Sequence, residues 1–299
     1  MAYDIEIIAS DNNITGEAPL WDYRTGEFYW SDIDGGFFYR LNTCTGHKTV
    51  LLEGENVFGV ALNSAGGLVF SGMDGLRLWE GPGRKRTIAG ECEGEPIPLN
   101  DITAAPDGGV YGGTFFWGEN GMEKPGRLIR FGPDGSVSVQ DEGILLSNGL
   151  AVSPDDRTLY FSDSAQRIVF AYDIHSGDGS LSNRRVFANF EREDGIPDGL
   201  TVDSLGNVYC ALWYGSKIAV ISPEGDLVET IGVPVTQVSS VAFGGKDLTD
   251  LYITSAGGPW PSELAPASYD INAPVGGALY CLKRKTPGVR ERLTSFPPL

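Results

Sequence analysis

The sequence predicts an all-β chain, and three observations support that prediction. Short apolar segments recur with starts 40, 42, 49, 49 and 43 residues apart, and a period of roughly 40–50 residues is typical of propeller arrays. The 41 glycines and 18 prolines suit many short strands joined by tight turns. No long window carries a convincing helical period. The recurring segments begin at Phe28, Leu68, Val110, Leu159, Val208 and Leu251.

Each repeat is predicted to contain four strands in the same order. A small apolar strand such as residues 149–152 (GLAV) or 199–202 (GLTV) comes first, and a Gly-, Asp-, Pro- or Asn-containing turn leads into the recurring segment. A third strand, a polar hairpin and a fourth strand such as residues 184–190 (RRVFANF) or 227–232 (LVETIG) follow. Repeated radially, this unit predicts a six-bladed β-propeller of four-stranded antiparallel blades, with residues 1–299 as one domain.

The two ends of the chain bear on how the ring closes. An unpaired edge strand is an aggregation hazard, so a propeller needs a partner for the edge of its last blade. Residues 6–10 (EIIAS) form a strand without a blade of their own, and we expect them to pair into the last blade. Residues 290–296 (RERLTSF) supply another strand near the C-terminus. Residues 257–275 form a long loop inside blade six, and loops of this length are usually functional or disordered.

Composition and charge argue against several classes of partner. The net charge of −18, from 40 acidic against 22 basic residues, opposes binding to nucleic acid or to anionic lipid headgroups. No apolar stretch approaches the roughly 20 residues needed to span a bilayer, and the N-terminus lacks a leader pattern. We therefore expect a cytoplasmic protein. The four cysteines form no CxxC pair, which gives no sign of a zinc or redox motif.

One position near the start of each blade carries the candidate chemistry. In four of the six blades this position holds a residue with a carboxylate or amide side chain. The repeated architecture should place the six side chains at this position in one ring at a mouth of the central channel. Oxygen ligands without thiol or imidazole suit a hard cation such as calcium, magnesium or manganese. The residues at this position are Glu17, Phe58, Asn100, Asn148, Asp198 and Ser239.

Turn formation is the competing interpretation for two of these positions. Asn148 and Asp198 each precede a glycine, and Asn-Gly and Asp-Gly are common turn dipeptides. Glu17 is a poor turn residue in the same register, which favours the metal interpretation.

Several motifs along the chain resemble the regucalcin, gluconolactonase and luciferin-regenerating family. The resemblance runs from about Gly16 to Tyr280 and is specific in the combination of its motifs. The matching segments are GEAPLW at 16–21, LND at 99–101, SNGLAVSPDDRTLYFSDS at 147–164, PDGLTVDSLGNVYCALW at 197–213 and GGALY at 276–280.

The resemblance implies a six-bladed propeller with one divalent metal that hydrolyses a sugar lactone. It implies Glu17, Asn148 and Asp198 as metal ligands, with Asp198 also acting as the catalytic base. Calcium is the first candidate, and magnesium, manganese, zinc or ferrous iron are alternatives. Asn100 is implied to bind the metal through water or to contact substrate hydroxyls. Many members carry a sugar-contacting Arg two residues before this Asn, whereas this chain has Pro98.

Further substrate contacts are expected from loops that could reach over the mouth. Aromatic faces commonly stack on sugar rings, although in a propeller they also pack between blades. The candidates are Phe115, Trp117, Glu119 and Glu123 in the loop at 114–124, Tyr214 in blade five, and Trp260 in the loop at 257–275.

Metal-assisted ester hydrolysis is the predicted mechanism. A cation would polarise the lactone carbonyl while Asp198 accepts a proton from the attacking water or only orients that water. A nucleophilic triad is hard to build, because His47 and His175 both fall in hairpin tips. A non-catalytic calcium- or ligand-binding propeller, a protein-interaction propeller and a phosphotriesterase-like hydrolase remain as alternatives.

Overall fold

The computed structural model describes residues 3–118, 121–260 and 263–298 and forms a six-bladed β-propeller. Each blade is a four-stranded antiparallel sheet, as the repeats predict, and one blade gains a fifth short strand. The first strand of every blade lines the central channel, and the fourth lies on the outside. Across the described residues, no helix is long and apolar enough to cross a membrane.

The strands of the first three blades follow the predicted order. Blade one contains Gly16–Asp22, Glu27–Asp32, Phe37–Asn42 and His47–Glu53. Blade two contains Val60–Asn63, Leu68–Gly72, Gly75–Trp79 and Lys85–Ala89. Blade three contains Leu99–Ala104, Val110–Thr114, Gly126–Phe131 and Val137–Ile144. Two small hairpins extend from this half of the ring, Glu91–Cys92 with Glu95–Pro96 and Trp117–Gly118 with Gly121–Met122.

The other three blades complete the ring. Blade four contains Ser147–Val152, Thr158–Asp163, Ile168–Ile174 and Leu181–Asn189. Blade five contains Ile196–Val202, Val208–Trp213, Lys217–Ile221 and Leu227–Gly232, and it is preceded by the 3-10 turn Arg192–Asp194. Blade six contains Val238–Gly244, Asp250–Ser255 and Leu279–Lys283, with Glu6–Ala9 as its fourth strand.

Ring closure by the N-terminal strand is confirmed. Glu6–Ala9 pairs antiparallel with Leu279–Lys283, so chain segments from both ends share one sheet. Arg284 follows that sheet and reaches into blade five, where it donates to Glu229 at 2.5 and 3.0 Å and to the Tyr209 hydroxyl at 3.2 and 3.3 Å. The Tyr3 hydroxyl donates to the same Glu229 carboxylate. This network joins the N-terminus, blade six and blade five.

Replacing Arg284 with Met is expected to lower the free energy of unfolding by about 2 kcal/mol, because hydrogen bonds to charged groups contribute about 1.5–3 kcal/mol. Glu229, which loses its cation, is 33% exposed, so water only partly replaces the lost partner. Denaturant unfolding of both proteins measures the difference. Arg185→Met is the control, because the exposed Arg185–Asp173 pair should contribute less than about 1 kcal/mol. Equal losses in the two variants would contradict a special role for the closing network.

The C-terminal segment crosses the ring at the end of the channel where the first strands finish. Leu293–Thr294 pairs in parallel with the first strand of blade two and forms its fifth strand. Just before it, Arg292 donates to the carbonyl oxygens of Val152 and Ser153 in blade four at 3.3 and 2.8 Å. The tail therefore ties blades two and four together across one end of the channel.

Packing between neighbouring blades forms the core. Phe28 of blade one stacks on Tyr252 of blade six with ring centroids 4.1 Å apart, and within blade one Trp30 stacks on Tyr39 at 5.0 Å. Phe28 and Trp30 are fully buried, and each such side chain contributes on the order of 2–3 kcal/mol. Because both faces of a blade are covered, its second strand can be apolar throughout, which explains the recurring apolar segments.

Candidate active site

The predicted ring position lies at the same end of the first strand in each blade. Glu17, Asn100, Asn148 and Ser239 are the second residues of their strands, and Asp198 is the third. The pairing with the second strand shifts register at or next to this position in all five blades. Such β-bulges commonly re-aim a side chain. In blade two, Phe58 lies two residues before its strand.

Two buried aspartates hold the strands that carry Glu17 and Asn148. Asp32 accepts hydrogen bonds from the backbone N–H groups of residues 14, 15 and 35 at 2.9–3.0 Å. Asp163 occupies the equivalent place in blade four and accepts from residues 145 and 146 at 2.8 and 3.1 Å. Each aspartate thereby fixes the backbone just before a ring residue. Their contribution to the site is structural.

The glycines after Asn148 and Asp198 lie in strands and not in turns. A Cβ atom at Gly149 would lie 2.5 Å from the carbonyl oxygen of Asp198, and one at Gly199 would lie 1.9 Å from Ser240 Oγ. Neither glycine has a positive φ angle. They are required because the inner strands of neighbouring blades approach closely there. The turn interpretation of these two pairs is therefore wrong.

Asn100 and Asn148 are joined directly. Asn100 Nδ2 donates to Asn148 Oδ1 at 3.1 Å and to the backbone oxygen of Ser147 at 2.7 Å. Asn148 Nδ2 donates to Ser164 Oγ at 3.0 Å, and that hydroxyl donates to the carbonyl of Pro197 beside Asp198. Because both amide nitrogens are engaged, only the carbonyl oxygens remain for a ligand, and that of Asn148 keeps one acceptor position beside its hydrogen bond from Asn100.

Asp198 and Glu17 are the acidic groups of the cluster. Asp198 is 3% exposed, and its Oδ1 atom has no hydrogen-bond partner. Burial raises the pKa of Asp198 well above its usual range, and the charges of Glu17 and Asp101 add to the effect. Burial and the charge of Asp101 raise the pKa of Glu17 to about 8. Carboxylates crowded together away from water need a proton or a cation to offset their charge.

Two further acids near this cluster had no predicted role. Burial raises the pKa of Asp101 to about 7, and the charge of Glu291 adds to that shift. Burial likewise raises the pKa of Glu291 to about 7. Asp101 follows Asn100 in the LND motif, which was the only sequence signal for it. Glu291 comes from the C-terminal tail, so nothing near it in the sequence links it to the channel.

A central cavity of about 70 Å³ lies next to the ring position. All six first strands contribute to this cavity, and residues 289–292 of the tail complete its lining. Asp101 and Glu291 both face it. The ring residues therefore lie at one end of a channel that the tail crosses.

The donor set of this cluster fits a hard divalent cation. The oxygen of Asp198 that lacks a partner, the Glu17 carboxylate and the Asn148 carbonyl oxygen are all ligand types that such ions prefer. Among the described residues, no cluster of three or more His, Cys, Asp or Glu side chains is arranged for a metal. A cation here would therefore depend on two carboxylates, an amide oxygen and water.

The other predicted contacts occupy different positions. Trp117 begins a small hairpin in which exposed Glu123 folds back over Gly118. Glu119 lies outside the described residues. Tyr214 is 7% exposed, and its hydroxyl donates to the carbonyl of Trp260. The structure thus brings Glu17, Asn100, Asn148 and Asp198 together and places Trp117, Glu123 and Tyr214 in the surrounding loops.

The blade-three hairpin meets the long connection of blade six. A Cβ atom at Gly121 would lie 3.9 Å from Glu263 Oε1. The backbone oxygens at 263 and 265 accept hydrogen bonds from Arg192, which fixes this connection against the turn before blade five.

Comparison with known proteins places this arrangement in a family. A profile of the SMP-30/Gluconolactonase/LRE-like region matches residues 15–257, which include all six ring positions. The chain belongs to the SMP-30/gluconolactonase/LRE-like family. The resemblance seen in the motifs of blades one, three, four and five is confirmed.

Several members of the family are similar over nearly their whole length. Pentonolactonase XacC of Haloferax volcanii is 33% identical over 276 residues, covering 92% of this chain and 93% of that protein. The 6-deoxy-6-sulfogluconolactonase of Pseudomonas putida is 29% identical over 292 residues, covering 97% and 98%. The solved structure of a luciferin-regenerating enzyme superposes with a TM-score of 0.86 at 29% identity, covering 98% of this chain and 100% of that one.

Proposed function

We propose that this protein hydrolyses a sugar lactone to the aldonic acid with the help of one divalent metal ion, calcium first. Glu17, Asn148 and Asp198 would hold the ion. The observation that carries the proposal is the buried, unpartnered oxygen of Asp198 beside a second carboxylate and an oriented amide oxygen. Relatives that act as a pentonolactonase and a sulfogluconolactonase support lactone hydrolysis.

The reaction adds water across the ester bond of the lactone. A cation bound here would polarise the lactone carbonyl and stabilise negative charge that develops on its oxygen. The water oxygen bonds to the carbonyl carbon, the bond from that carbon to the ring oxygen breaks, and one proton moves from water to the ring oxygen. Asp198 accepts this proton and returns it to the leaving oxygen.

The environment of Asp198 suits a proton acceptor. A bound cation lowers the basicity of a neighbouring carboxylate. Burial and the charges of Glu17 and Asp101 act in the opposite direction on the pKa of Asp198. The two influences on the pKa of Asp198 therefore oppose each other, and the raised pKa favours proton acceptance.

The remaining residues are proposed to position the substrate. The carbonyl oxygen of Asn100 is available to accept a hydrogen bond from a sugar hydroxyl, because its nitrogen is occupied by blade four. Trp117, Glu119 and Glu123 would contact the part of the substrate that projects from the mouth. Tyr214 would act by holding the connection at Trp260 in place.

A panel of aldonolactones assayed for acid release, with and without chelator, tests this proposal. We expect hydrolysis of at least one lactone above the uncatalysed rate, loss of that activity with chelator and recovery with added calcium. Activity that survives chelation would contradict the metal mechanism. Metal binding without turnover of any lactone would favour a non-catalytic binding protein.

A further inference from the structure

Two aromatic side chains form one wall beside the ligand cluster. Phe58 occupies the ring position of blade two, and Phe115 follows the second strand of blade three. Their ring centroids lie 5.5 Å apart with planes tilted by 42°. Both side chains are half-buried, so part of each ring remains accessible. An apolar surface thus lies at a position where each of the other five blades presents a polar or acidic residue.

Backbone contacts fix this aromatic pair next to Asn100. A Cβ atom at Gly59, which follows Phe58, would lie 2.8 Å from the nitrogen of Ile102 and 2.9 Å from Asp101 Oδ1. The backbone nitrogen of Phe115 donates to the carbonyl of Pro98 at 3.1 Å. Both aromatic residues therefore adjoin the strand that presents the free carbonyl oxygen of Asn100.

The basic groups at this end of the propeller are already committed to protein partners. In the described parts of the chain, the lysines and arginines in or next to the mouth-side loops are each paired with a carboxylate or a backbone carbonyl. They are Arg77, Lys124, Arg127, Arg167, Arg192 and Lys217. Each of these cations would have to leave a protein partner before it could pair with an anionic group on a ligand.

We propose that Phe58 and Phe115 form an apolar subsite that restricts the substrates of this enzyme to uncharged lactones. The subsite takes the part of the lactone remote from the ester carbonyl, with Asn100 contacting a neighbouring hydroxyl. A phosphate, sulfonate or carboxylate substituent would be stripped of water by the two aromatic rings and would lie near Asp101. Without a cation as a partner, this desolvation of a charged group is costly. The inference depends on the proposed lactone hydrolysis and narrows its substrate class.

The test compares kcat/KM for D-glucono-1,5-lactone and for the same lactone carrying a 6-phosphate, each corrected for uncatalysed hydrolysis in calcium-containing buffer. We expect the wild-type protein to prefer the neutral lactone by at least about 100-fold, since each 1.36 kcal/mol of transition-state stabilisation changes the rate tenfold. Phe58→Arg should reduce that preference by at least about tenfold, because it places a cation in the subsite.

Two controls separate the possible outcomes. Phe58→Leu keeps the subsite apolar and should retain the preference, which distinguishes charge from loss of the ring. Val186→Arg adds the same charge on the outer strand of blade four, at a side chain that is 57% exposed, and should leave the preference unchanged. Similar rates on both lactones, or an unchanged preference in Phe58→Arg, would overturn the subsite while lactone hydrolysis stands. Turnover of neither lactone would overturn both.

Discussion

Asp198→Asn is expected to lower kcat for lactone hydrolysis by about 10²–10⁴-fold, which is the range that a positioned acid–base group contributes. The amide can still offer an oxygen to a cation, but it cannot accept the proton of the attacking water. Since asparagine is nearly the same size and shape as aspartate, the substitution mainly removes the acidic function of this side chain, which is 3% exposed. Steady-state kinetics measure kcat, and calcium titration calorimetry on the same preparation measures metal affinity.

The combination of results assigns the role of Asp198. Metal binding within about tenfold of wild type, together with the loss of kcat, supports the proton-accepting role. Loss of metal binding alongside activity would limit Asp198 to the role of a ligand. Asp134→Asn is the matched control, because Asp134 lies in an exposed hairpin between the outer strands of blade three and should change neither property. Hydrolysis by Asp198→Asn at the wild-type rate would show that the assignment is wrong.

Glu17→Gln is expected to stabilise the metal-free protein at pH 8 and to weaken the stabilisation that calcium provides. The pKa of Glu17 is raised from 4.5 to about 8 in the folded protein. Between these values the folded state holds a proton that the unfolded state has released, so stability falls as pH rises from about 5 to about 8. The contribution is on the order of 2–4 kcal/mol after allowing for partial exposure. Glutamine does not ionise, so Glu17→Gln should not lose this stability as the pH rises.

Thermal unfolding at pH 5 and pH 8, in chelator and in calcium, measures both parts of this prediction. In chelator, the wild-type Tm should fall more between pH 5 and pH 8 than that of Glu17→Gln. Calcium should raise the wild-type Tm most at pH 8, where protons no longer compete for the carboxylates, and should raise that of the variant less. Glu224→Gln, at an exposed hairpin, should behave like wild type. Parallel pH profiles for wild type and Glu17→Gln in chelator would contradict a charged Glu17 in the cluster.

Much of the fold was predictable because its determinants are local and repeated. Each second strand is apolar over its whole length, each turn carries its own Gly, Asp, Pro or Asn, and the spacing recurs. The unmatched strand at Glu6–Ala9 could be assigned to the last blade because the other five repeats supply four strands each and the last supplies three. Pairing of the C-terminal Leu293–Thr294 with blade two was not predictable, since two residues carry too little pattern to specify a partner.

The candidate site, like the fold, was predictable from the sequence only in part. Sequence register alone identified Glu17, Asn100, Asn148 and Asp198 as one ring, because equivalent positions of a repeat converge at the axis. The sequence could not distinguish strand from turn at Gly149 and Gly199, since the close approach that requires glycine there comes from neighbouring blades.

Other features depend on contacts between distant parts of the chain. Glu291 acts on Asp101 from the C-terminal tail, and Phe58 meets Phe115 across two blades. The sequence by itself determined the repeat, the ring and its oxygen-bearing side chains, because those follow from local pattern and periodicity. Only the tertiary structure decided which neighbours surround that ring, because burial, charge and shape at the mouth arise from residues that the sequence keeps far apart.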